Sequence, residues 1–138
     1  MRIKMLIAAT AALTCTFATP ATAQDPGRAI ISIYHAAPGH QMELLKWLAD
    51  QDRAAQAAGV PGTQLYVHTD GDSWDYLMIA PVTTPEQDAA IEAAGKRIGV
   101  EAGIRASIDL RKHIASHTDT FVAGPMTAAQ AVAALGGK

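Results

Sequence analysis

Apolar and polar residues follow two different periods along this chain, and the two periods predict both strands and helices. Four short runs are rich in β-branched and aromatic residues and are bounded by Gly, Pro or Asp-Gly turn signals, which is typical of strands. They cover residues 29–35, 64–68, 74–79 and 118–123. Longer stretches with apolar residues three and four positions apart predict helices. They cover residues 41–58, 84–99, 100–116 and 127–135.

The elements follow one another in the order β-α-β-β-α-β, with a short helix at the end. This order predicts an α+β, ferredoxin-like domain, in which a four-stranded antiparallel sheet carries helices on one face. No internal repeat or long linker divides residues 24–138, so we expect them to form a single domain. The sheet face that the helices leave uncovered, called the open face from here on, needs a cover if it carries large side chains. A second copy of the chain is the simplest cover, which predicts a homodimer.

Residues 1–23 have the pattern of a secretory signal peptide. Basic residues precede an apolar stretch that ends at Pro20, and an Ala-Thr-Ala cleavage motif stands directly before Gln24. The apolar stretch is shorter than the roughly 20 residues that a membrane-spanning helix needs. Cys15 lacks the small residue that a lipoprotein signal places before its cysteine, so we assign it to the leader. We therefore expect a periplasmic or secreted mature chain, residues 24–138, with no membrane partner after cleavage.

Composition excludes several classes of function. With 49% hydrophobic and 17% charged residues, the chain is too apolar to be disordered. Its 11 Lys and Arg residues are scattered and its net charge is -2, which argues against a nucleic-acid partner, since that requires a clustered basic face. A single cysteine excludes an intramolecular disulfide and a cysteine zinc cluster. Gly-rich phosphate-binding motifs and the serine-hydrolase motif are absent from the sequence.

Strand alternation sorts the side chains of the second and third strands onto the two faces of the sheet. A five-residue turn between these strands would place His68 opposite Trp74, and Tyr66 opposite Tyr76. We therefore expect an aliphatic face toward the helices and an aromatic, polar open face.

The first and fourth strands are assigned by the same alternation. In the first strand, Ser32 and Tyr34 form the more polar set, so we place them on the open face. In the fourth strand, His117 and Phe121 share one side with Asp119.

A concave apolar face with a few polar groups is the usual setting for a small-molecule site. His68, His117 and Tyr66 are the candidate catalytic residues, because histidine titrates near neutral pH and a phenol can hydrogen-bond a developing oxyanion. Aromatic side chains that could hold a flat hydrophobic ligand are the candidate substrate-binding residues. They are Tyr34, Trp74, Tyr76 and Phe121. The same aromatic residues are also typical of a dimer interface, so the face could serve either purpose or both.

Metal binding is not predicted. His113 and His117 are four residues apart and would share one face of a helix, but no third ligand accompanies them. We therefore expect no metal site.

The segment Pro38-Gly39-His40-Gln41-Met42-Glu43, directly after the first strand, together with the order of elements, resembles the dimeric α/β-barrel superfamily. Its members include antibiotic-biosynthesis-monooxygenase-like and EthD-like proteins. The resemblance covers roughly residues 30–125 in topology and only this short segment in residues. It implies a ferredoxin-like fold, a homodimer whose sheets form a barrel, and a small-molecule ligand. Because some members handle haem, it also leaves haem open as a cofactor.

Three hypotheses about function follow. The chain is an exported, cofactor-independent isomerase, cyclase, lyase or monooxygenase that acts on an aromatic or polyketide-like compound. Alternatively, it is a non-catalytic binding protein for a small hydrophobic ligand or haem, or an exported dimer without a ligand.

Overall fold

The computed structural model describes residues 27–136, so the leader expected over residues 1–23 lies outside the described residues. The strands are β1 (Arg28–Ala36), β2 (Gln64–Val67), β3 (Tyr76–Pro81) and β4 (Ile114–Ala123). The helices are α1 (Gln41–Ala57), α2 (Pro85–Ile98), α3 (Ile104–Leu110) and α4 (Ala128–Ala134). The strands form one four-stranded sheet in the order β2-β3-β1-β4, and every neighbouring pair is antiparallel. This is the ferredoxin-like arrangement, and it confirms the fold class predicted from the order of elements.

The ends of α2 follow directly from its sequence. Thr84 caps the helix and forms a capping box with Gln87, and Pro85 occupies the first turn, where its missing N–H costs nothing. Gly99 ends the helix in the left-handed conformation, with φ of 73°. Helix α1 likewise begins at the predicted residue, Gln41, after the Pro38-Gly39 turn.

The helix predicted over residues 100–116 is too long at both ends, since the structure has only a seven-residue helix there. Helix α3 ends at Leu110, and β4 already begins at Ile114, so His117 lies in a strand. Strand β1 provides the reason, because it pairs with β4 along its whole length, from Arg28 opposite Ala123 to Ala36 opposite Ile114. Pairing over this length overrides the weak helical pattern of the segment.

The predicted assignment of side chains to the two faces is also wrong for β1 and β3. In the β2–β3 ladder Tyr66 lies opposite Leu77, and Val67 lies opposite Tyr76. The register therefore differs by one residue from the predicted one, and such a shift moves every side chain of a strand to the other face. Tyr34 and Tyr76 are buried under the helices instead of facing outward.

Tyr34 and Tyr76 belong to the core between the sheet and the helices. Small residues form much of the inward surface of the helices, and these include the buried Ala54, Ala94 and Ala106. Ala54 lies at the contact with α2, 3.5 Å from where a Cβ of Gly95 would be, and the two tyrosines pack on leucines of the helices. The central core cluster accordingly joins Tyr34 and Tyr76 to three leucines and an alanine, namely Leu44, Leu48, Leu110 and Ala36.

The open face is aliphatic at its centre. Ile31 and Ile33 of β1 lie beside Ile79 and Leu77 of β3, and all four alternate with residues that face the helices. Tyr66 of β2 extends this surface, because it lies opposite Leu77. This composition is the reverse of the aromatic open face that was predicted.

Candidate functional site

A cavity of about 460 Å³ lies between the sheet and the helices. Its floor is formed by β1 and β3, its wall by α1, and its far side by residues of α2 and α3. The lining side chains are mostly apolar, with a few polar groups among them. They include Ile30, Tyr34, Met78 and Ala80 from the sheet and Trp47, Leu48, Gln51, Asp52 and Ala55 from α1.

Tyr34 connects this cavity to a polar group of residues on the neighbouring strand. It lines the cavity, it is 5% exposed, and its ring stacks on His117 with 5.8 Å between centroids and 12° between planes. The two residues face each other because Tyr34 of β1 lies directly opposite His117 of β4. The residue pair thus joins a buried phenol to a half-exposed imidazole.

Asp119 links His117 to a buried serine. The Ser32 hydroxyl donates to Asp119 Oδ1 at 2.7 Å, and Asp119 Oδ2 lies 3.4 Å from His117 Nε2. Ser32 is 4% exposed and lies opposite Asp119 in the β1–β4 ladder. Ser32 therefore holds one carboxylate oxygen and leaves the other beside the imidazole.

The surroundings of Tyr34 keep its phenol protonated at neutral pH. Burial raises the pKa of Tyr34 above its ordinary value of 10.0, and the nearby Asp119 carboxylate raises it further, while the Ser32 hydroxyl lowers it. A protonated phenol donates a hydrogen bond and can stabilise an oxyanion. The imidazole of His117, with the Asp119 carboxylate at one nitrogen, is the group that can take up a proton.

Two predicted binding residues on the helix side have structural contacts of their own. The Tyr76 hydroxyl donates to the carbonyl of Gln41 at 2.9 Å and so ties β3 to the start of α1. Burial, followed by the charge of Asp75, raises the pKa of Tyr76. Phe121 is exposed on the edge strand, and the Arg28 guanidinium lies 5.9 Å from its ring centroid. Neither residue is among those that line the cavity.

The other three residues that were predicted for the site, Tyr66, His68 and Trp74, lie away from the cavity. Tyr66 is half exposed on the open face, where its hydroxyl lies 3.5 Å from Gln64 Oε1. His68 and Trp74 pack against each other at the hairpin, with 5.1 Å between ring centroids, and Trp74 precedes β3 instead of belonging to it. The structure therefore does not bring His68 and Tyr66 together with Tyr34 and His117.

Trp47 and the cavity that it lines were not predicted from the sequence. Trp47 packs against the core cluster, and its Nε1 is buried without a hydrogen-bond partner among the described residues. A signal was present, because Trp47 shares one side of α1 with Leu44, Leu48 and Gln51 at spacings of three and four. The helical spacing marks this side as the inward one.

The metal ligands considered from the sequence are separated by the fold. His113 follows α3 and packs near His40, with ring centroids 5.9 Å apart, while His117 lies in β4. Within residues 27–136 no three His, Cys, Asp or Glu side chains form a group that could hold a metal ion. Over the same range, none of the helices has the length and hydropathy needed to cross a membrane.

Comparisons with known proteins give neighbours in structure only. No family model and no curated protein matches the chain. Solved structures similar to it include PA3566 from Pseudomonas aeruginosa, with 16% identity, a TM-score of 0.49, and coverage of 75% of this chain and 97% of that one. A dimeric ferredoxin-like protein of unknown function from Thermobifida fusca has 10% identity, a TM-score of 0.48, and coverage of 73% and 93%.

A third neighbour is a candidate antibiotic biosynthesis monooxygenase from Chloroflexus aurantiacus, with 20% identity, a TM-score of 0.42, and coverage of 72% and 96%. The neighbours thus include dimeric ferredoxin-like proteins and a monooxygenase-like one, the kinds of protein that the sequence resembles. Identities this low concern the fold alone.

Proposed function

We propose that this protein acts on a small aromatic or polyketide-like molecule in the cavity between sheet and helices, by acid–base chemistry at Tyr34 and His117. One observation supports this most strongly. Tyr34 lines the cavity and stacks on His117, and Asp119 lies beside the His117 ring. A hydrogen-bond donor thereby borders the apolar space, and a proton acceptor with a carboxylate beside it stacks on that donor.

In this proposal each residue has one task. His117 is not among the lining residues and stacks on Tyr34, so in this proposal the ligand extends past the Tyr34 ring, where His117 takes a proton from an acidic C–H or O–H group and Asp119 stabilises the imidazolium that forms. The Tyr34 O–H donates to the ligand oxygen on which negative charge develops. Return of the proton to a different atom completes an isomerisation, cyclisation or bond cleavage. An oxygenation would need O₂ as a co-reactant.

The second candidate function is binding without catalysis, with a hydrophobic ligand or haem as cargo. The apolar lining of the cavity is consistent with a hydrophobic ligand whether the protein is an enzyme or a binding protein. Haem is the less favoured cargo, because no histidine lines the cavity and only Tyr34 and Met78 among the lining residues could ligate its iron. We therefore propose an organic ligand.

Turnover of a panel of anthrones and hydroxynaphthoquinones tests the proposal. His117→Ala should lower the rate by about 10²–10⁴, the usual effect of a positioned acid–base group. His68→Ala is the matched control, because this histidine lies at the hairpin, and it should leave the rate unchanged. Binding of these compounds without turnover in the wild-type protein would favour the binding protein.

We also propose that the chain is exported and cleaved before Gln24, as the pattern of residues 1–23 suggests. Mass spectrometry of the protein from its native host should find an N-terminus at or near Gln24. A retained Met1 or a lipid-modified Cys15 would contradict export with cleavage at this site.

We further propose that the open face is the interface of a homodimer. Its central residues are Ile31, Ile33, Leu77 and Ile79, and exposing such a surface to water is unfavourable. The flanking positions of β2 and β4 on this face, among them Tyr66, Thr118 and Thr120, are uncharged. Two copies could therefore meet face to face without burying a charge.

A further inference from the structure

We infer that the cavity selects an uncharged ligand over an anionic one and that Asp52 is the residue that sets this preference. The inference rests on the proposed function, since it concerns the ligand of the same cavity. Among the residues that line the cavity, Asp52 carries the only ionisable acid or base that is charged at neutral pH. Neither lysine nor arginine is among them.

Asp52 is held in place by donors from two segments. Its Oδ1 accepts from the Thr63 N–H at 3.0 Å and from the Thr63 hydroxyl at 3.2 Å, and its Oδ2 accepts from Gln56 Nε2 at 2.6 Å. These contacts join α1 to the segment that leads into β2. The carboxylate therefore remains at the cavity wall and cannot easily turn away from an approaching anion.

Two further features add negative potential at the same cavity. Helix α1 ends at Ala57 and has no basic residue in its last turn, so the partial negative charge of its carbonyl end is not offset. At the opposite side, the Asp119 carboxylate lies behind Tyr34. An anionic group entering the apolar space would lose water and gain no cationic partner, and this disfavours carboxylates, sulfonates and phosphates.

Two fluorescent probes with one skeleton test the inference. N-phenyl-1-naphthylamine is uncharged, and 8-anilinonaphthalene-1-sulfonate carries a sulfonate on the same ring system. The uncharged probe should bind the wild-type protein at least about tenfold more tightly than the sulfonate, a difference of about 1.4 kcal/mol. Tighter or equal binding of the sulfonate in the cavity would overturn the inference.

Charge variants then assign the preference to Asp52. Asp52→Asn keeps the shape of the side chain and should reduce the ratio of the two affinities, and Gln51→Lys should reduce it further by adding a cation at the cavity wall. Ala49→Lys is the control, because it adds the same charge at an exposed position of α1 that neither lines the cavity nor lies in the last turn of the helix. An unchanged ratio in Asp52→Asn would overturn the role of Asp52, and an unchanged ratio in Gln51→Lys would overturn the claim that charge at the cavity wall controls ligand choice.

A cavity-filling variant separates failure of this inference from failure of the proposed function. Ala55 lines the cavity, so Ala55→Phe should weaken binding of the uncharged probe by about tenfold or more if the probe occupies that space. Binding that Ala55→Phe leaves unchanged would contradict the proposed function itself. Circular dichroism of each variant confirms that it is folded.

Discussion

The phenol of Tyr34 lies between an apolar cavity on one side and the Ser32, Asp119 and His117 side chains on the other. Its neighbours determine its chemistry, because burial and the Asp119 charge both favour the neutral form. At the residue scale the site thus contains a phenol whose surroundings favour the protonated form and, stacked on it, an imidazole with a carboxylate beside it.

Replacement of Asp119 by Asn should lower the pKa of Tyr34, because the carboxylate charge that raises it is removed. Ultraviolet titration of phenolate absorbance measures this, and Tyr34→Phe identifies the signal among the three tyrosines of the chain. A Tyr34 pKa that is unchanged or higher in Asp119→Asn would contradict the arrangement described here.

The same raised pKa predicts how stability depends on pH. A tyrosine whose pKa is higher in the folded protein than the unfolded value of 10.0 contributes its stability fully below that pH, and the contribution is lost as the pH rises through the folded pKa. The free energy of unfolding, measured with urea between pH 8 and about 11, should therefore fall as the pH rises. The fall should be smaller in Tyr34→Phe than in the wild type. An equal decline in both proteins would mean that Tyr34 does not titrate differently on folding.

Asp75 gives a residue-scale prediction that is independent of the site. Its Oδ2 accepts from the backbone N–H of Ala36 at 2.7 Å, where the β1–β3 ladder ends. Asp75→Ala leaves this part-buried N–H without a partner and should cost about 1–3 kcal/mol in the free energy of unfolding. Asp70→Ala, in the exposed hairpin turn, is the control and should change stability by no more than about 0.5 kcal/mol.

At the scale of elements, the packing of α2 depends on the missing side chain of Gly95, because the segment after the helix lies close to this residue. A Cβ built there would lie 2.9 Å from the Val100 carbonyl oxygen and 3.0 Å from Ala102 Cβ. The approach lets the chain turn back tightly after Gly99 and brings α2 near Ala54 of α1.

Gly95→Ala should therefore destabilise the protein by about 1–3 kcal/mol through overpacking, although alanine is the better helix former by about 1 kcal/mol. Gly62→Ala is the matched control, since its Cβ would meet only side-chain atoms at 3.6 Å, an ordinary contact. Thermal or urea unfolding measures both. Stabilisation by Gly95→Ala would show that helix propensity outweighs the contact.

The secondary-structure elements also show which features of the structure could be predicted from the sequence. Capping residues and turn glycines are local signals, so the order of elements, the ends of α2 and the start of α1 could be predicted. The face of β3 could not, because it depends on how many residues form the β2–β3 turn, and one residue more reverses it. The face of β1 could not either, because polarity favoured an outward position for Ser32 and Tyr34, whereas both are buried under the helices. His117 was predicted as a site residue, but its partner Tyr34 was assigned to the wrong face, and Trp47 was missed.

At the scale of the whole molecule, the two faces of the sheet have separate roles in our proposal. The helix side holds the ligand, and the aliphatic open face binds a second copy. Leu77→Glu puts a charge at the centre of the open face and should convert the dimer into a monomer in light scattering at micromolar concentration, because an unpaired charge would be buried. Ile108→Lys, at an exposed position of α3, is the control and should remain dimeric. A wild-type monomer would contradict the proposed interface.

The position of the ligand is the central claim, and two indole signals test it most directly. Trp47 lines the cavity and Trp74 lies at the hairpin, and the sequence contains no other tryptophan. In ¹H–¹⁵N spectra the two Nε1–H signals can be assigned with Trp47→Phe and Trp74→Phe. Titration with N-phenyl-1-naphthylamine should shift the Trp47 signal to saturation and leave the Trp74 signal in place. A saturable shift of Trp74 with Trp47 unmoved would contradict the account and place the ligand outside the cavity.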